Sequence, residues 1–304
     1  MIIYKNLKIK KHHKKSVVAI GNFDGLHFGH KKVLEQAKQK AKKKGLKYGL
    51  ITFEPIPTMF FNSNITNHRI NSFDQKLFYL KKINLDFLII IKFNKKFSNY
   101  RAEEFIKKVL FNKLNCKYLF VSKNFRFGKK RSGNVNTLKK FEKKYSYKTV
   151  ITIPYKKNNK VISSTLIRKK IQNGKIEDAN KLLGREWSVI GKVKRGSQRG
   201  KKIGFPTCNL SLYNHVLPRL GVYSVGIQFN SFTKQGIANI GYRPTFNGKK
   251  IILEVNIFGI NINLYNKVIK VSFKNFIRAE KKFKSVSQLK KQIKKDILIV
   301  KNKK

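Results

Sequence analysis

The sequence predicts two domains, an α/β doubly wound parallel sheet followed by an antiparallel β-barrel with a terminal helix. Three observations predict it: apolar strands alternating with amphipathic helices in the first half, a period-two pattern in the second, and a helical pattern at the end. In the first half, Val17–Ile20, Tyr48–Phe53, Phe87–Ile91, Tyr118–Val121 and Thr149–Ile153 each read as a buried strand. Helical patterns lie between several of them, as at Lys31–Lys43 and Ala102–Leu114. Strands separated by helices pair in parallel and are covered on both faces. Two more helices are expected at Ser164–Gln172 and Ile176–Leu183, the second stopped by Gly184.

After Trp187 the pattern changes. Tyr223–Phe229 and Ile269–Phe273 alternate apolar and polar residues, with Gly and Asn between such runs, as antiparallel strands do. Val286, Leu289, Ile293 and Ile297 fall on one face of a closing helix, with Ser285 as its cap. The domains are therefore expected at residues 1–184 and 185–304, abutting without a Pro/Ser-rich linker.

The composition sets limits. With 304 residues and 41% hydrophobic content there is material for two real cores. No apolar run approaches the ~20 residues that cross a bilayer; Phe87–Ile91 is bounded by Asp86 and Lys92. The basic start lacks an apolar signal region, and Cys116 and Cys208 suit neither a zinc cluster nor a disulfide framework. A cytoplasmic location is expected. The net charge of +56 points in one of two directions. It could serve nucleic acid or an anionic surface, or it could follow from codon usage, since the lysines are dispersed among abundant Ile and Asn. No nucleic-acid-binding motif accompanies the charge, and the oligomeric state is left open.

Gly21-Asn22-Phe23-Asp24-Gly25-Leu26-His27-Phe28-Gly29-His30 follows the first strand and opens a helix. Glycines let the backbone turn tightly, and a helix N-terminus offers free N–H groups to an anion. His27 and His30, three apart, can face the same way and donate to phosphate oxygens. Ser122–Gly128 lies beyond another strand end, where open α/β sheets bind ligands. Ile162–Arg168 starts a helix with hydroxyls at Ser163, Ser164 and Thr165 and an arginine at Arg168, a pattern that also suits ordinary capping. Farther on, Arg195–Asn209 is a glycine-rich basic loop that does not match the Walker spacing. In Ile251–Phe258, Glu254 lies opposite the main aliphatic row.

Together the first three segments resemble the nucleotidyltransferase domain of bacterial bifunctional riboflavin kinase/FMN adenylyltransferase, or FAD synthetase. The family pattern G-x-F-D-G-x-H-x-G-H is matched, as are the asparagine–phenylalanine/arginine–phenylalanine–glycine segment and I-S-S-T-x-I-R. Phe53-Glu54-Pro55-Ile56-Pro57 fits its post-strand turn. The resemblance implies AMP transfer from ATP to FMN, with pyrophosphate released. Gly21, Phe23, Gly25, His27 and His30 would bind the nucleotide, Ser163, Ser164, Thr165 and Arg168 would stabilise its phosphates, and Asn124 would help place flavin phosphate or nucleotide. The loop from Arg195 resembles the riboflavin kinase signature G-x-x-R-G-x-x-x-G-F-P-T-A-N, with Cys208 for alanine. That implies nucleotide contacts from Gly200 and Lys201, Mg²⁺ ligation by Thr207 and Asn209, Glu254 as general base and Arg278 at the flavin. The likeness continues through Leu217-Pro218, Gly221–Tyr223, Asn239–Phe246 and Phe276–Phe283. Departures are Asn256 for a frequent histidine, and Asn263 and Asn266 flanking Leu264-Tyr265. The implied substrates are riboflavin, FMN and ATP, with Mg²⁺ as cofactor and no membrane or specific nucleic-acid partner.

Overall fold

The computed structural model describes residues 1–157, 160–196, 198–245, 248–260 and 262–302. Ser197 of the basic loop and Phe246 of the Asn239–Phe246 stretch lie outside the described residues, as do the side chains of Arg199 and of residues 243–245. The chain packs into two compact units: Met1–Thr66 with Lys76–Ser163, and Asn67–Gln75 with Ser164–Lys304.

The first unit is built on parallel strands β1 (Ile2–Tyr4), β2 (Val17–Ile20), β3 (Tyr48–Glu54), β4 (Phe87–Lys92), β5 (Tyr118–Ser122) and β6 (Lys148–Thr152). Their spatial order is β1-β4-β3-β2-β5-β6. Consecutive residues Val17, Val18 and Ala19 are all buried, as are Phe87, Leu88 and Ile89, so both faces of the sheet are covered. From β2 the chain steps outward through β3 and β4, then returns to place β5 on the other side of β2. The order therefore reverses between β2 and β5. A two-stranded ribbon, β7 (Lys156–Lys157) and β8 (Lys160–Val161), follows β6.

The helix Phe28–Lys44 buries Leu34, Ala37 and Ala41 and stops at Gly45, whose φ of 61° is the left-handed stop that glycine favours. Two expectations shift. Ile153 stands outside β6 and is 79% exposed. The helix expected over Ala102–Leu114 is α-helical only over Ala102–Phe105 and continues as a π-helix over Ile106–Lys113, with Ile106, Val109 and Leu110 still buried.

In the second unit the helices Ser164–Gln172 and Ile176–Leu183 have the expected bounds, and Gly184 caps the latter at φ 69°. Strands β9 (Trp187–Lys192), β10 (Cys208–Leu210), β11 (Gly221–Phe229), β12 (Phe232–Thr245), β13 (Gly248–Ile257) and β14 (Val268–Ala279) form an antiparallel sheet. Its order is β10-β13-β12-β11-β14-β9. The two edges meet just beyond β9, where Lys194 N donates to the Asn209 carbonyl at 2.8 Å. The sheet thus curls until its edges touch. Trp187, Tyr223 and Phe273 fill the inside, with Trp187 and Phe273 ring centroids 4.7 Å apart. On the other face the helix Val286–Asn302 packs Ile293, Ile297 and Val300 against Val222 and Ile237. The Ser285 hydroxyl caps it, accepting from Gln288 N at 3.2 Å.

The segment Asn67–Gln75 belongs to this second unit. Val216 N donates to the Arg69 carbonyl at 2.7 Å, and the Trp187 indole N–H donates to the Ile70 carbonyl at 2.8 Å. Gln75 donates from Nε2 to the Ser188 carbonyl at 2.8 Å, while its Oε1 meets His215 Nε2 at 2.7 Å.

Candidate active sites

In an open α/β sheet the crevice beyond the carboxyl ends of the strands, where strand order reverses, is the place for a ligand. Here the segments leaving β2 and β5 are Gly21–His30 and Lys123–Gly128. The first turns sharply, with left-handed backbone at Phe23 (φ 48°), Gly25 (φ 82°) and Leu26 (φ 42°). It then delivers His27 as the N-cap of the helix Phe28–Lys44. His27 Nδ1 accepts from His30 N at 3.3 Å, which leaves Nε2 to carry the proton of a neutral ring. The two imidazoles stack with centroids 3.7 Å apart, and Phe23 lies 5.1 Å from His30.

Gly29 allows a close approach: a methyl group there would lie 3.1 Å from the His27 ring and 3.5 Å from the Ile162 carbonyl. Ile162, and Ser163 after it, therefore come to the root of this helix. Asn124 is exposed in the turn after β5. Thus Gly21, Phe23, Gly25, His27, His30 and Ser163 gather beyond the carboxyl end of β2, with Asn124 after the neighbouring strand. Ser164, Thr165 and Arg168 belong to the second unit, where Arg168 Nε donates to the His68 carbonyl at 2.8 Å.

Sequence reasoning missed an aromatic group at the same end of the sheet. Phe60, Phe61 and Phe93 lie beyond β3 and β4 with centroid separations of 5.2–5.6 Å, and Phe61 is 67% exposed. A large apolar side chain held in water by its neighbours is a ready face for a flat ligand.

On the barrel, strand register assembles the second group. Asn209 in β10 lies directly opposite Glu254 in β13, and Glu254 directly opposite Asn239 in β12. Cross-strand partners share a face of the sheet, so two amides flank one carboxylate. Gly196 lies beside them, and a Cβ there would overlap the Asn209 side-chain amide as it now stands. Asn209 Oδ1 is buried and has no hydrogen-bond partner among the described residues. Thr207 and Lys201 line a cavity of about 340 Å³ together with Pro206, Cys208, Leu264 and Tyr265. Asn256 donates from Nδ2 to the Pro206 carbonyl at 2.7 Å and so pins the loop next to Thr207. Burial pushes the Cys208 thiol up to about 11, leaving it protonated and unreactive at neutral pH. Arg278 is engaged with Asp296 of the terminal helix, through Nε at 3.0 Å and Nη2 at 2.8 Å.

Two family models match this chain, FAD synthetase over residues 9–166 and riboflavin kinase over residues 183–303. A bifunctional riboflavin kinase/FMN adenylyltransferase of Buchnera aphidicola subsp. Schizaphis graminum is 43% identical over 298 residues, covering 96% of this chain and 95% of the relative. The chain belongs to that family. The Escherichia coli K12 member is 34% identical over 283 residues, covering 93% of this chain and 90% of its own length. A crystal structure described as a macrolide-efflux protein from Streptococcus pneumoniae has a TM-score of 0.88 and 30% identity, covering 100% of this chain and 99% of that one. Among the described residues here, no helix is long and apolar enough to cross a membrane. Within the bifunctional family, the turn at His27 falls in the FAD synthetase match and the Asn209–Glu254 pair in the riboflavin kinase match.

Proposed function

We infer that the chain phosphorylates riboflavin to FMN and then adenylylates FMN to FAD, using ATP in both steps. The observation that carries this reading is that two different family matches divide the chain, each enclosing its own cluster of candidate phosphate-binding residues. We assign adenylyl transfer to residues 1–184 and riboflavin phosphorylation to 185–304.

In the adenylyl step an FMN phosphate oxygen attacks the α-phosphorus of ATP and the bond to pyrophosphate breaks. This chemistry needs positioning and charge neutralisation more than a protein nucleophile. His27 Nε2–H, His30 and the helix N-terminus hold the ATP phosphates, and Gly21, Phe23 and Gly25 shape the turn. Ser163, Ser164, Thr165 and Arg168 meet the charge of the leaving pyrophosphate. Asn124 places the flavin phosphate, and the exposed face of Phe61 suits the isoalloxazine ring.

In the kinase step Glu254 takes the proton of the terminal ribityl hydroxyl as that oxygen attacks the γ-phosphorus of ATP, whose bond to the ADP oxygen breaks to release ADP. Gly200 and Lys201 contact the phosphates, and Arg278, held by Asp296, serves the flavin side. Thr207 and Asn209 suit Mg²⁺: the buried carbonyl oxygen Oδ1 of Asn209 has no partner among the described residues, and hard cations take such oxygens. When bound, Mg²⁺ neutralises phosphate charge. Free thiols at Cys116 and Cys208 support a reducing, cytoplasmic setting. Small molecules are the only partners this chemistry requires.

The test is to incubate the protein with riboflavin, ATP and Mg²⁺ and to separate the flavins over time. FMN appears first and FAD follows. His30→Ala lowers FAD formation on the order of 10²-fold while FMN still forms. Glu254→Ala lowers FMN formation on the order of 10²-fold or more and leaves FAD formation from supplied FMN intact. If either variant, still folded, abolishes both activities, the two-site assignment is wrong.

A further inference from the structure

The helix Phe73–Lys81 carries a lysine that none of the steps above uses. Lys76 is 2% exposed, whereas most lysines of so basic a chain lie in water. A buried ammonium is costly unless its hydrogens find acceptors. Lys76 Nζ donates to the Asn22 carbonyl at 2.8 Å and to the Thr52 hydroxyl at 2.6 Å. Thr52, itself fully buried in β3, donates onward to the same Asn22 carbonyl at 3.2 Å. A helix and a strand thus converge on one peptide oxygen.

That oxygen belongs to the second residue of the Gly21–His30 turn. The next four residues include three in the left-handed region, two of them the non-glycine Phe23 and Leu26. Backbone of this kind persists only where its surroundings over-determine it. We propose that Lys76 is a positioning residue for adenylyl transfer: its ammonium locks the Asn22 peptide, and through it the turn that aims His27 and His30. This inference rests on the assignment of His27 and His30 to the ATP phosphates.

Lys76→Met keeps an unbranched side chain one atom shorter and removes its charge and donors. Lys76→Arg keeps the charge, and Thr52→Val removes the shared hydroxyl. The expected result for Lys76→Met is a fall in kcat/KM for ATP in FAD formation on the order of 10²-fold, the size seen when one preorganised donor is lost. The KM for ATP rises while the KM for FMN stays as it was, Lys76→Arg recovers part of the loss, and Thr52→Val loses less. Riboflavin phosphorylation by the same molecules is unchanged, which serves as the internal control for folding. Unaltered FAD formation in Lys76→Met overturns the proposal. So does an equal loss in Lys76→Met and Lys76→Arg that merely follows the fall in Tm. If Lys76→Met does not fold, Thr52→Val decides, and full activity there overturns it. His27→Ala and His30→Ala are measured alongside: if both leave FAD formation intact, the site assignment itself is what has failed.

Discussion

Single side chains set some of the pH response. His13 is buried, its Nδ1 is 2.7 Å from the Tyr4 hydroxyl, and its ring stacks on Phe87 at 4.7 Å. Burial, with the charge of neighbouring His12, holds its pKa below the ordinary histidine value. The unfolded chain therefore takes up the proton more readily than the folded one. The stability linked to His13 is complete above about pH 6.5 and is lost as the pH falls below it. His13→Asn should flatten the pH dependence of the urea midpoint between about pH 5 and 7 relative to the parent. An unchanged slope would remove His13 from the account. Such residues are hard to see in sequence. Lys76 looks like any other of the 70 basic residues until the helix that carries it is packed. The placement of His27 and His30 at a helix start was legible because a glycine turn, a strand before it and a helix after it are local features.

Elements carry the next layer. The loop leading into β10 passes so close to Asn209 that a side chain at residue 196 would meet the Asn209 amide. Gly196→Ala should displace the Asn209 amide and lower FMN formation at least tenfold, about 1.4 kcal/mol of transition-state binding, while FAD formation from supplied FMN persists. Flavin chromatography on the two substrates separates these outcomes. Strands β2 to β6 were legible as apolar runs, and the helices Ser164–Gln172 and Ile176–Leu183 from their periodicity and the Gly184 stop. Strand β1 was not, because three residues gain their meaning only by pairing with β4, far along the chain. Asn239 was missed for the same reason. Register across β12 and β13, not any local pattern, puts it beside Glu254.

At the scale of the molecule, 14 acidic residues cannot neutralise 70 basic ones. The compact state therefore repels itself, and salt relieves that repulsion. Raising KCl from about 0.01 M to 0.15 M shortens the Debye length from about 30 to 8 Å and should raise the urea midpoint. Over the same range the KM for ATP should rise, since attraction of an anionic substrate is screened along with the repulsion. A midpoint that falls with salt would mean that attractive pairs dominate instead. Composition announced this charge plainly.

The two compact units, finally, do not separate at one point along the sequence. Residues 67–75 pack with the barrel but are threaded through the sequence of the first unit. A gene shortened to begin at residue 185 would encode every strand of the barrel and yet leave Trp187, Ser188 and His215 without the backbone and amide groups that clothe them. In the language of inheritance, the barrel carries an heirloom from the other half of the sequence, and a fragment without it would have bare groups to mend.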